Sequence, residues 1–194
     1  MAVCSEAAAE AQGGQEPASS ETVQHLHDAV RNYLLVAQSD PGYASASFGL
    51  ARAFLALGDR EGAAAALRKI PKSSSAYVTA QVTLCRVLAS QVNGDKPALV
   101  DLTAASDTLE TLSLENSTRL LIVRDLHSQA ISMLTDGRSS ANDAVRVGGV
   151  QFDEYSQRSA LERTLRSLAK LAATEKERFD LVDQANGARP QTLT

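Results

Sequence analysis

The chain has 194 residues, 44% hydrophobic and 22% charged, with a formal net charge of −4. This composition fits a soluble globular chain with one continuous core, and its mild acidity argues against nucleic acid as the main partner, since phosphate neutralisation needs a clustered basic surface. Aromatic content is only 4%, Trp is absent, and no apolar run approaches the ~20 residues that span a bilayer.

Residues 1–20 are rich in Ala, Gly, Glu, Gln and Ser. Such a segment buries too little apolar surface to offset its ordering entropy, and it is expected to be a loosely ordered tail. It carries no basic stretch followed by an apolar one, so no secretory signal is read there. Cys4 lies in this tail and Cys85 in an apolar helical stretch. A disulfide between them is not expected, which places the chain in the cytoplasm. Helical register begins after Ser20, which has the chemistry of an N-cap. Leu26, Val30, Tyr33 and Leu34 share one face of the helix over 22–38.

Tyr43, Ala46, Leu50 and Arg52 recur at Tyr77, Ala80, Leu84 and Arg86, each shifted by 34 residues. That is the period of the tetratricopeptide repeat, one helix-turn-helix unit per repeat. With Gly58-Asp59 as the tight turn of one unit, the closing proline of the preceding unit falls at Pro41 and the small residue of its second helix at Ala29. Residues 22–38 therefore read as a second helix, and the chain opens in mid-repeat. In the next unit Leu50, Ala51 and Phe54 face Ala63 and Leu67, with Phe54 expected to fill the space between hairpins and Pro71 to stop the second helix. The third unit repeats the pattern with Tyr77, Leu84, Cys85 and Leu88, its Gly94-Asp95 turn displaced by a short insertion.

Pro97 suits the first turn of a helix reaching about Leu112, and residues 114–135 form another, closed by Gly137. The segment 138–151, RSSANDAVRVGGVQ, reads as a loop or short helix broken at Gly148-Gly149. In the last hairpin Leu161, Leu165, Leu168 and Ala172 make an apolar face. Thr174 and Glu177 have capping-box spacing, and Gly187 and Pro190 end the final helix. The sum is an all-α fold, a right-handed tetratricopeptide superhelix of antiparallel helical hairpins over residues 21–189, with tails at 1–20 and 190–194.

Reaction chemistry is not legible. His25 and His27 point to different sides of a helix and His127 has no ligand partner at helical spacing, so all three read as helix-surface histidines. HExxH, paired CxxC, GxSxG and phosphate-binding GxxxxGK[ST] sequences are absent, and Asp107 and Glu110 read as a solvated acidic face. No catalytic, cofactor-binding or metal residue is assigned. Arg52 and Arg86 occupy one repeat position on successive first helices, with Phe48 and Val82 one turn earlier. Two readings stand: a groove for an acidic or phosphorylated segment, or intramolecular pairing with carboxylates such as Asp59 or Asp40. Ser45, Phe48 and Thr79 stand where the Lys/Asn clamp for C-terminal carboxylates would need its polar residues, which disfavours that adaptor class.

Two segments resemble a known family. YASASFGLARAFLALGDREGAAAALRKIPKSSSAYVTAQ and SALERTLRSLAKLAATEKERFDLVDQANGARPQTLT are similar to the C-terminal repeat region of the actinobacterial serine/threonine protein kinase G family, a likeness covering about residues 22–194. The kinase signatures of that family, a Gly-rich ATP loop, HRD and DFG, are missing from this sequence, as are its paired iron-binding CxxC knuckles. The resemblance implies a non-catalytic region of a signalling kinase that stabilises it, dimerises and docks regulators or substrates. The expected partners are proteins, namely the kinase domain, a regulator or a substrate, and a second copy of the chain; no cofactor, membrane or nucleic acid is expected. The Leu26, Val30, Tyr33 and Leu34 face is the expected self-association surface, because an opening half-repeat lacks a cap. The alternative is a free-standing adaptor that binds an extended acidic peptide in its groove. A third reading is an enzyme or small-molecule sensor with an unrecognised site between the last hairpins.

Overall fold

Apolar residues three and four apart recur along most of the chain, and the resulting helices pack in sequence order. The computed structural model describes residues 20–40 and 42–190. Within them lie helices α1 (Ser20–Ser39), α2 (Ala44–Ala56), α3 (Arg60–Arg68), α4 (Tyr77–Ala89), α5 (Leu99–Glu110) and α6 (Asn116–Thr135). Strands β1 (Asn142–Val147) and β2 (Val150–Phe152) follow, then α7 (Glu154–Ala169) and α8 (Glu175–Ala188). Each helix packs on the next, α1 on α2 through to α7 on α8, with α4 also touching α6. This is a helical-repeat superhelix, because a lone hairpin cannot bury its own apolar face and must place it on its neighbour. The tail reading of residues 1–19, the setting of Cys4 and the closing proline at Pro41 lie outside the described residues, as do residues 191–194.

The turns follow from their residues. Gly58 adopts φ +85, the left-handed conformation that ends α2. Asp59 then caps α3, its Oδ1 accepting from the Gly62 N–H at 2.7 Å. At the last hairpin Thr174 Oγ1 accepts from Glu177 N–H, while Glu177 Oε2 accepts from Ala173 N–H, one residue before the cap itself. The main core runs through α2 to α6 and is built from Leu50, Leu67, Leu84, Leu102, Ile122 and Leu126 around buried alanines. A smaller cluster, Leu165, Leu168, Leu181 and Ala185, joins α7 to α8.

Several expectations need correction. Phe54 is only partly buried, packed at the edge of the core beside the Asp59-Gly62 turn rather than filling the space between repeats. Pro97 precedes α5, and Asp101 holds the helix entry through an Oδ2 contact with Ala98 N–H at 2.9 Å. The last helix runs through Gly187 to Ala188 and ends as Arg189 turns extended. Most consequential, residues 142–152 are neither loop nor helix but an antiparallel β-hairpin with Val147 opposite Val150. Its two-residue turn is Gly148-Gly149 with φ +63 and +84, the pair of positive φ values that matches strand twist in a tight hairpin. Val147 and Phe152 both enter the core.

His127 is the other correction: it is 1% exposed, buried in α6 rather than on a surface. It faces Gln157 of α7, with His127 Nδ1 2.7 Å from Gln157 Oε1. The Gln157 amide nitrogen donates to Val147 O at 3.1 Å and Gln151 O at 3.0 Å. Carbonyls only accept, so the amide orientation is fixed and His127 must donate from Nδ1–H. Gly148 closes the assembly. Its N–H donates to Ser106 Oγ at 2.7 Å, and a Cβ there would fall 2.6 Å from the His127 ring. Three helices thus grip the hairpin through one buried polar network.

Burial disfavours protonated His127 and holds its pKa below the ordinary 6.5, with the Arg163 charge acting the same way against the Gln157 hydrogen bond. The unfolded chain therefore binds the proton more readily. Stability is fully present above pH 6.5 and falls as pH drops towards the folded-state value. The melting temperature is expected to decline between pH 7 and 5, above the carboxylate range, and His127→Asn should flatten that decline. A wild-type profile flat over this interval would show that His127 does not titrate on unfolding.

Candidate protein-interaction surface

Arg52 lies on α2 and Arg86 on α4, and both helices pack against α3. Phe48 precedes Arg52 by four residues, as Val82 precedes Arg86, so each apolar side chain shares a helix face with its arginine. Phe48 and Val82 are partly buried against the main core, whereas both arginines are exposed. The structure therefore repeats one unit, an anchored apolar residue beside a free cation, on two successive repeats. Neither guanidinium forms an ion pair or hydrogen bond with another described residue. The carboxylates named as intramolecular partners are otherwise engaged: Asp59 caps α3, and Asp40 Oδ1 accepts from Gly42 N–H at 2.9 Å.

Sequence reasoning missed a different class of arginine. Arg60 is the first residue of α3, yet its side chain reaches the turn of the next repeat. It pairs with Asp95 at 3.0 Å and Asp101 at 3.6 Å and donates to Ser90 O at 3.1 Å and Asp95 O at 2.6 Å. Arg119 donates to Leu109 O at 3.1 Å and Leu112 O at 2.7 Å, satisfying carbonyls at the end of α5. Both are structural clamps. Their one sequence signal is position, a long cation placed where it can meet a turn or helix C-terminus.

The face composed of Leu26, Val30, Tyr33 and Leu34 is partly covered within the chain, with Leu26 half-buried and Tyr33 still 37% exposed. Val30 and Leu34 pack against the main core, and the Tyr33 ring covers Gly49 of α2, where a Cβ would fall 2.5 Å from Cε1. Beside this face α1 leaves further apolar atoms open on Leu35, 58% exposed, and Val36, 43% exposed. The Tyr33 ring sits on α2 for a simple reason: Gly49 has no Cβ, so the side chain can lie against the α2 backbone.

Burial pushes the Cys85 thiol up to about 11, and its Sγ lies 3.5 Å from Ala105 O, so it stays an unreactive thiol at neutral pH. Among the described residues no three His, Cys, Asp or Glu side chains gather as a metal site, and no helix is long and apolar enough to cross a membrane.

Comparison with known proteins agrees with the helical-repeat fold. Residues 4–192 match the family model described as the protein kinase G tetratricopeptide repeat. The chain is 36% identical over 159 residues to the serine/threonine-protein kinase PknG of Mycobacterium leprae, covering 81% of this chain and 20% of that protein. It is 32% identical over 166 residues to the PknG of Mycolicibacterium smegmatis, covering 85% of this chain and 21% of that protein. The chain thus spans about a fifth of the length of these relatives.

Proposed function

This chain belongs to the protein kinase G tetratricopeptide-repeat family, and we propose that it acts as a non-catalytic docking module that holds a partner protein through Arg52 and Arg86. The observation that carries this reading is the repeated unit of exposed, unpartnered arginine beside an anchored apolar residue, Phe48 with Arg52 and Val82 with Arg86. Two guanidinium forks at one repeat position match an extended segment bearing carboxylates or phosphates, with the apolar neighbours seating side chains between the charges. The relatives are named as serine/threonine kinases, so the partner class proposed is the kinase domain, a regulator or a substrate of such an enzyme. Sparse cysteine use favours action in the cytoplasm. The free-standing adaptor uses the same surface and differs only in which protein supplies the segment.

Self-association is a second proposal, favoured by the open side of α1. No residue of that helix is fully buried, and Leu35 and Val36 stand side by side in solvent. A second copy covering them would remove apolar surface worth roughly 25 cal/mol per Å².

Reversing both arginines, Arg52→Glu with Arg86→Glu, should abolish capture of partner from native cytoplasmic extract while leaving helicity and melting temperature nearly unchanged. Surface substitutions away from packing alter stability by about 0.5 kcal/mol, whereas each lost charge-assisted contact removes roughly 1.5–3 kcal/mol of binding. Capture by the wild type should weaken with salt. A double variant that unfolds, or one that captures the same partner as wild type, would make the arginines structural or irrelevant. For self-association, sedimentation at high concentration should show a dimer that Leu35→Glu with Val36→Glu dissociates; a wild type monomeric throughout would remove the proposal.

A further inference from the structure

The hairpin that the helical reading passed over builds a second cationic feature, away from the α2 and α4 arginines. Arg146 and Gln151 sit opposite one another in the hairpin register. Together with Tyr155, Ser156, Ser159 and Arg163 of α7 they line a cleft of about 520 Å³. Tyr155, Ser159 and Arg163 lie four apart on one face of α7, and Ser156, three before Ser159, borders that face. The two walls are fixed to each other, because Gln157 ties Val147 O and Gln151 O of the hairpin to α7 from beneath. The cleft is therefore a preformed feature of the fold.

Its charge is uncompensated. Among the described residues the Arg163 guanidinium has no ion-pair or hydrogen-bond partner, and the Arg146 guanidinium reaches only Gly149 O, at 3.5 Å. The carboxylates that flank the cleft along α7 are held elsewhere. Asp153 Oδ1 accepts from Ser156 N–H at 2.8 Å. Glu154 Oε1 accepts from Arg158 Nε at 2.7 Å. Glu162, beside Arg163 in sequence, is bound by Arg166 at 3.0 Å and Arg189 at 3.2 Å. What remains facing the cleft is two guanidinium groups and three hydroxyls, an arrangement with many donors and no anionic acceptor.

We infer that this cleft binds a phosphoryl dianion, carried either by a small phosphate ester or by a phosphorylated serine or threonine side chain. A phosphomonoester brings a charge of about −1.5 to −2 and three strong acceptor oxygens, which two bidentate guanidiniums and the Ser156, Ser159 and Tyr155 hydroxyls match in both charge and donor number. A carboxylate would leave one guanidinium uncompensated. The cleft is also larger than a phosphate ion, leaving room for the ester group against Tyr155 and Val150. The site is independent of the surface formed by Arg52 and Arg86.

The test is a titration of the intact chain in phosphate-free buffer at fixed ionic strength, followed by amide NMR, with inorganic phosphate, O-phosphoserine and a phosphoserine peptide as separate probes. Saturable shifts centred on Gly149, Gln151, Ser156 and Ser159 are expected. Arg146→Glu with Arg163→Glu should weaken binding about tenfold or more, while Arg52→Glu with Arg86→Glu leaves it intact. Arg163→Gln, a milder change, should weaken binding if the reversed pair perturbs the hairpin. A second readout is His127, whose protonation Arg163 opposes: with the cleft occupied, its imidazole should titrate at higher pH. A peptide binding more tightly than O-phosphoserine identifies a protein segment as the source, and equal affinities identify a small ester. No saturable shift with any of the three probes at millimolar concentration, or shifts that persist in both cleft variants, would overturn the inference.

Discussion

Close helix crossing through alanine sets the geometry on which the rest of the molecule depends. Ala51, Ala63, Ala66, Ala80, Ala105 and Ala130 are all buried where successive helices meet. A methyl group at a crossing lets two backbones approach, and leucines on either side then interdigitate at interior packing density. This explains why 4% aromatic content suffices: there is little space between layers for a ring to fill. A larger side chain at any of these alanines would push a hairpin off its neighbour and disturb the repeat beyond it. The β-hairpin obeys the same constraint at the far end of the main core, where Val147 and Phe152 fill what no alanine-lined crossing reaches.

A stack held this closely engages some of its long cations and leaves others open. Arg60 and Arg119 tie turns and helix ends to their neighbours, and they are fixed by carbonyls as much as by carboxylates. Arg158, Arg166 and Arg189 are paired with Glu154 or Glu162 around the last hairpin. Arg52, Arg86 and Arg163 belong to neither group, and among the described residues Arg68, in the last turn of α3, is favoured by the helix dipole alone. A fold whose stability is supplied by apolar packing does not need these exposed arginines, which is the physical basis for proposing them as recognition residues.

Much of this was legible in the sequence because periodicity is a local signal. Tyr43, Ala46 and Leu50 return one repeat later, and Gly58-Asp59 carries its own turn and cap chemistry, so the repeat architecture needed no tertiary information. The hairpin was legible too and was overlooked: Val145, Val147, Val150 and Phe152 alternate around Gly-Gly, the pattern of a two-residue strand turn. His127 was a different kind of miss. Its partner Gln157 is 30 residues away on another helix, and no spacing within one element announces such a contact. The same holds for Arg60, whose acceptors lie in the next repeat. The packing of Val30 and Leu34 against the core and of the Tyr33 ring over Gly49 depends on α2, and no spacing within α1 announces it.

The division of arginines into structural and free is the central claim, and arginine-specific modification with mass-spectrometric readout tests it most directly. On the intact folded chain, Arg52, Arg86 and Arg163 are predicted to react rapidly with a dicarbonyl reagent, while Arg60 and Arg119 react only on the timescale of unfolding. Partner protein should then slow Arg52 and Arg86 without affecting Arg163. Modification of Arg52 and Arg86 as slow as that of Arg60 in the isolated chain would show that the fold already engages them, and would contradict the account.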